Sequence, residues 1–178
     1  MGPKENLFVT KRNGRGLEAL NIDKIHSMVE FATDGISGVS ASQVEMNSGI
    51  QFFDKISTDD IQQILIKSAN DLISLENPNY QYVAARLLLF SLRKSLFHRL
   101  WEHPSLLKHI KTCVKQGVYD KAILQNYDEA EIDRMGMWID HERDYNFTYA
   151  GLRQVIDKYL VQDRSTGEVF ETPQFMYM

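Results

Sequence analysis

From Ile22 to Leu160 the apolar residues of this chain recur mostly at three- and four-residue intervals, in segments separated by capping and turn residues. That spacing gathers apolar side chains onto one face of a helix, so most of the chain must fold as helices packed on one another. The rhythm breaks at two places. Leu7-Phe8-Val9-Thr10 and Leu17-Glu18-Ala19-Leu20 are short β-prone runs flanking Asn13-Gly14-Arg15-Gly16, which reads as a β-hairpin. Tyr159-Leu160-Val161 and Val169-Phe170 flank Ser165-Thr166-Gly167 and suggest a second, shorter hairpin. The expected class is mainly α.

The segments follow in order. Ile22, Ile25, Val29 and Ala32 line a first helix that Gly35 and Gly38 end. Ser40 with Gln43 three residues on is a capping-box pattern, opening a helix whose apolar side carries Val44, Ile50, Phe52 and Phe53. Ser57 or Thr58 caps a third, with Asp59 and Asp60 in the first turn and Ile61, Leu65, Ala69 and Leu72 inward. After Asn77-Pro78-Asn79, a long helix runs from Tyr80 to about Trp101 through Val83, Leu87, Phe90 and Phe97. Trp101 to Pro104 is the best boundary, dividing the chain into 1–100 and 101–178. Beyond it come a helix through Leu106, Ile110 and Val114 closed by Gly117, a weaker one over Ile123 to Trp138, and one over Phe147 to Leu160. The final residues, Gln174 to Met178, read as an element cut in its first turn.

Charge narrows the partners. Residues 1–100 carry 11 basic and 11 acidic side chains, and 101–178 carry 9 and 13, so the net −4 arises entirely in the second part. That balance argues against a non-specific nucleic-acid binder. Lys4, Lys11, Arg12 and Arg15 against Glu5 alone make a local basic patch suited to a small anion, or else are solvated strand and turn charges. Cys113 is the single cysteine, which excludes an intramolecular disulfide, a cysteine-cluster zinc site and a dithiol redox pair. The longest apolar run near a helix, Leu87 to Phe90, is far short of a membrane span, and the first residues lack a signal-peptide core. A soluble cytoplasmic protein is expected, with no membrane partner.

Catalytic chemistry is poorly supplied. His26, His98, His103, His109 and His141 form no H-x-x-x-H or H-E-x-x-H pair, so no metal site and no catalytic residue is expected. Asp140-His141-Glu142-Arg143-Asp144 is dense in ionisable groups, and the bland reading is a charge-laced helix start. Cys113 lies on the apolar side of its helix, where a thiol is usually inert packing. Binding chemistry is better provided. Lys11 and Arg12 end the first strand and Lys24 sits in the first turn of the helix that follows, where a helix N-terminus favours phosphate oxygens. Glu18, Asn21 and Thr58 could then hydrogen-bond base and sugar.

Val9-Thr10-Lys11-Arg12-Asn13-Gly14 with Asn21-Ile22-Asp23-Lys24-Ile25 resembles the start of an ATP-cone, the allosteric domain of ribonucleotide reductases. Ser57-Thr58-Asp59-Asp60-Ile61-Gln62 and Tyr80-Gln81-Tyr82-Val83-Ala84-Ala85-Arg86-Leu87 are similar to later parts of the same cone. Gly117-Val118-Tyr119-Asp120, Ile139 to Asp144, and Tyr159-Leu160-Val161 with Glu171-Thr172-Pro173-Gln174 resemble the large subunit of aerobic class I ribonucleoside-diphosphate reductases.

The resemblance implies a small β-hairpin lid on a roughly four-helix bundle, then further helices leading toward a catalytic barrel. It implies ATP or dATP as effector, with magnesium accompanying the nucleotide. Lys11 and Lys24 would lie toward phosphate, and Glu18 and Asn21 nearer base and sugar, with Arg12 and Ile25 also counted among the nucleotide-binding residues. Thr58, Gln62, Phe90 and Lys94 complete the implied set. The implied partners are the remainder of the large subunit and the radical-generating small subunit. Two departures stand out: the turn before Glu18 is one residue longer, and Gln62 occupies a position where many bacterial members carry histidine. Phage reductases share the second, which points to a viral origin. The reductase's thiyl-radical cysteine and redox pair would lie beyond residue 178, so the chain reads as a cut piece or half of a split subunit, inactive alone. The alternative is a degenerate cone that binds no nucleotide and serves as a helical docking domain.

Overall fold

The computed structural model describes residues 8–11, 16–49 and 54–178. Lys4, Glu5, Leu7, Arg12, Asn13, Gly14, Arg15, Ile50, Phe52 and Phe53, named above, lie outside them, and with them most of the basic patch and the turn signal. The chain divides into two compact units, one of residues up to Ser91 with Thr148–Ala150, the other of Leu92–Phe147 with Gly151–Met178.

The first unit opens on a three-stranded sheet ordered β2-β1-β3. β1 (Phe8–Thr10) pairs antiparallel with β2 (Leu17–Ala19), with Val9 opposite Glu18, as the turn signal predicts. Gly16, at φ +107°, accepts a bond from the Lys11 N–H at 3.0 Å. β3 (Ile56–Ser57) was not legible in the sequence. It runs parallel to β1, setting Val9 beside Ile56 and Thr10 beside Ser57. The Asp54 carboxylate accepts the Phe8 N–H at 3.1 Å, and the Thr10 hydroxyl donates to the Lys55 carbonyl at 3.1 Å, tying the two strands further.

Four helices follow or interleave with the strands: α1 (Ile22–Thr33), α2 (Ala41–Ser48), α3 (Thr58–Asp71) and α4 (Tyr80–Phe97). Val29 and Ala32 of α1, Val44 of α2, and Leu65, Ile66 and Ala69 of α3 are buried with Val83, Ala84, Leu87 and Phe90 of α4. Each large aliphatic among them contributes about 1.5–3 kcal/mol by leaving water. From Tyr80 to Phe90 buried side chains occur on nearly every side of α4, the mark of a helix at the centre of its bundle. The capping box at Ser40 forms with a detour. The Ser40 hydroxyl accepts the Gln43 N–H at 3.4 Å, while the Tyr80 hydroxyl takes the Ser40 N–H at 3.1 Å and donates to the Gln43 side chain. His26 joins Glu45 of α2 at 2.8 Å and Glu30 at 3.1 Å. Arg86 donates to the Asp34 carbonyl at 2.6 Å, satisfying the end of α1.

α4 stops at Phe97, four residues short of the expected Trp101, because His98 adopts a left-handed conformation at φ +59°. In the second unit, α5 (Leu106–Lys115) closes at Gly117, whose φ is +74°. The expected helix over Ile123 to Trp138 is two, α6 (Ala122–Asn126) and α7 (Glu129–Gly136), separated where Asp128 and Glu131 form a complete capping box. A 3-10 helix (His141–Asn146), α8 (Tyr149–Lys158) and α9 (Pro173–Tyr177) complete it around Leu106, Ile110, Ile132 and Phe175. The second hairpin contracts to one antiparallel bridge, Gln162 with Val169. Tyr159 and Leu160 still bond to the Val155 carbonyl as the end of α8 and are withheld from pairing. Among the described residues no helix is long and apolar enough to cross a membrane.

Candidate functional site

Strand alternation decides where the hairpin's charges go. Val9 and Ile56 are buried, so their face of the sheet is the one turned toward the helices. Directly opposed residues share a face, as do residues two apart, so Glu18 and Lys11 lie on that side too. Phe8 and Leu17 occupy the outer face, 41% and 57% exposed.

On the inner face the charges meet. Lys11 Nζ lies 2.9 Å from Glu18 Oε2, and Lys24 Nζ lies 2.8 Å from Glu18 Oε1. Hydrogen bonds from Lys24 and Lys11, with the charge of both, hold the Glu18 carboxyl at about 2. Asn21 is the N-cap of α1, its side-chain oxygen accepting the Lys24 N–H at 3.0 Å. Ile25 follows half-buried on the same helix. Hairpin, cap and first turn thus bring Lys11, Glu18, Asn21 and Lys24 together.

Thr58 follows directly on β3, whose last residue, Ser57, pairs beside Thr10 at the end of β1, and it opens α3. Of the two candidate caps, Ser57 is the one used: its hydroxyl accepts the Asp60 N–H at 2.9 Å and donates to the Asp60 carboxylate at 2.6 Å. Thr58 becomes the first helical residue, half-buried.

The remaining candidates have other surroundings. Gln62 is 2% exposed, and its amide donates to the Leu87 carbonyl at 2.9 Å, bracing α3 against α4. Phe90 is fully buried with its ring centroid 5.6 Å from that of Phe31. Lys94 is a half-buried residue one turn further along α4, in the second unit. The sequence reading missed the Lys11–Glu18–Lys24 bridge itself, although the hairpin register makes Lys11 and Glu18 diagonal neighbours and so contained the signal.

The 140–144 run is structural. Arg93, 2% exposed, donates to the Tyr145 hydroxyl at 2.8 Å and to the His141 carbonyl at 2.6 Å, and lies 3.7 Å from Asp144. Gln174 donates to the other Asp144 oxygen at 2.8 Å. Burial pushes the Asp144 carboxyl up to about 6 against the pull of Gln174 and Arg93. His103 stacks on His141 with centroids 3.8 Å apart, and His109 on Phe175 at 4.1 Å. Burial lowers His103 to about 3 and His109 and His141 to about 4, so all three are neutral near pH 7. Cys113 is buried and its thiol pushed up to about 11, which makes it inert packing.

The geometry sets two lysines on one carboxylate beside the start of α1 in the first unit. The ATP cone domain family matches residues 7–95, half of the chain. Over 174 residues, 98% of its length, the chain is 48% identical to the ribonucleoside-diphosphate reductase 1 subunit alpha of Escherichia coli strain K12. It is 43% identical over 161 residues to the ribonucleoside-diphosphate reductase subunit alpha of Enterobacteria phage T4, and 37% identical over 173 to that of Helicobacter pylori. It spans 23% of the first of these and 21% of the other two. The hairpin, Lys11, Lys24, α1 to α3 and α4 as far as Ser95 fall within the matched stretch, and the chain belongs to the ATP-cone family.

Proposed function

We propose that the first unit is a nucleotide-responsive regulatory module of ribonucleoside-diphosphate reductase, binding ATP or dATP beneath the hairpin. Lys11, Arg12 and Lys24 take the phosphates, Glu18, Asn21 and Ile25 lie toward base and sugar, and Thr58 adds a contact from the start of α3. Gln62 and Phe90 serve the site from the interior by holding α3 and α1 against α4. The observation that carries this reading is the pair of ammonium groups, each within 3 Å of one carboxylate, on the helix-facing side of the sheet. Magnesium would accompany the phosphates of the nucleotide. The catalytic remainder of the large subunit and the radical-generating small subunit are the proposed partners.

Calorimetry on the 178-residue chain tests it. ATP and dATP should bind in the micromolar range or weaker, about −6 to −8 kcal/mol, and Lys11→Ala and Thr58→Ala should each weaken binding. A folded wild type that takes up neither nucleotide would sink the proposal. One observation favours a second reading, a cone that docks a partner without nucleotide: the Gln62 amide is turned inward to Leu87 and withheld from any ligand. That reading predicts saturable binding to the small subunit with no nucleotide-induced thermal shift, and a clear shift with ATP removes it.

A further inference from the structure

We propose that Glu18 is an internal competitor for phosphate, its carboxylate occupying both of the lysines that a phosphate chain would need and so setting how weakly the site holds its ligand. This rests on the nucleotide reading above and concerns how that same site is tuned.

Both oxygens of the carboxylate are used, one on each ammonium. Glu18 is fixed to its place by the strand register, opposite the buried Val9, and cannot diffuse away. A tethered anion competes at a high effective concentration. The bridge also lowers the charge of its own three groups: two lysines less one glutamate leave +1 where the lysines alone would give +2. Acids in the first turns add negative charge, Asp23 on α1 and Asp59 and Asp60 on α3. A phosphate approaching Lys11 must expel the carboxylate or lie beside it. The first outcome costs ion pairs and the second brings like charges together. The carboxylate held at about 2 stays ionised through the neutral range, so the competition is always present.

A carboxylate that merely held the lysines ready for phosphate would have the opposite consequence, since removing it would weaken binding. Inorganic tripolyphosphate separates the two cases, because it carries the phosphates without base or sugar. The chain is titrated with ATP and with tripolyphosphate as wild type, Glu18→Gln and Glu18→Asp, each checked for an unchanged melting transition. Glu18→Gln should tighten tripolyphosphate about fivefold, the scale set by two exposed ion pairs. Glu18→Asp, charged but too short to span both ammoniums, should fall between, and the differences should shrink with added salt. If wild type binds ATP and Glu18→Gln takes tripolyphosphate no more tightly, the competitor role is overturned and the nucleotide reading survives. If no folded variant binds either ligand, both are overturned.

Discussion

The two units each pair cations with a carboxylate, and they do so under opposite conditions. Lys11, Glu18 and Lys24 have 47%, 39% and 67% of their side chains exposed, so water can replace any partner that leaves. Arg93 and Asp144 are 2% and 0% exposed and must be satisfied by protein alone. The first arrangement is exchangeable and suits a ligand. The second is fixed and suits the joining of α4, the 3-10 helix and α9 within one core. Burial, more than the residue types involved, separates a binding group from a strut.

The sharpest way to break this comparison is Arg93→Ala. It leaves Asp144 and Gln174 buried around an absent cation and should cost about 3–5 kcal/mol in urea denaturation, against less than about 1 for Lys11→Ala. Comparable costs for the two would mean that burial does not distinguish them.

Acid should separate the units next. His103, His109 and His141 have folded values near 3 to 4, below the unfolded 6.5, so the unfolded chain binds more protons between those limits. The stability they contribute is complete above pH 6.5 and is lost as pH falls toward 4. Asp144, raised to about 6, works the other way and returns part of that loss as pH falls below 6. With solvent screening of the partly exposed His103 and His141 rings, the second unit should lose on the order of 1 kcal/mol per pH unit between 6.5 and 4. His26 in the first unit is raised, chiefly by its hydrogen bond to Glu45 and the charge of Glu45. Its contribution is complete below pH 6.5 and is lost as pH rises through its folded value. Amide exchange at pH 7.5, 6.5 and 5 should show the two units responding in opposite senses, and a parallel response would refute the assignment.

The smallest effect sharpens the site alone. Ser57→Ala should lower stability by about 1 kcal/mol through loss of the α3 cap, whereas Thr58→Ala should stay within about 0.5 and alter only nucleotide titration. Equal losses of stability would return Thr58 to a structural role.

Much of this was legible in the sequence for definite reasons. Ser40 and Ser57 stand at helix starts, and the apolar period names Val29 and Ala32 of α1, Ile61, Leu65 and Ala69 of α3, and Leu106 and Ile110 of α5, all buried, whereas Ile22, at the first position of α1, is 57% exposed. Lys11, Glu18, Asn21 and Lys24 emerged as site candidates because a strand end, a cap and a first turn are short-range features. What escaped depends on distance along the chain. β3 is two residues long, below any periodic signal, and its partner is the strand at residue 9. The early stop of α4 is a backbone choice at His98, a residue with no strong turn preference. Gln62 resembled a ligand contact, and its inward turn toward Leu87 depends on how α3 meets α4.

The parallel pairing of β1 with β3 also bears on the order of assembly. Phe8 and Asp54 are 46 positions apart, and α1 and α2 fill the interval, so the third strand cannot join until those helices have brought the chain back. The side of the site that β3 and Thr58 supply therefore forms late, and a two-residue pairing gives it little to resist reopening. If nucleotide binds as proposed, a ligand that reached from the local lysine bridge to Thr58 would close the part of the unit that forms last, and so would also complete the fold.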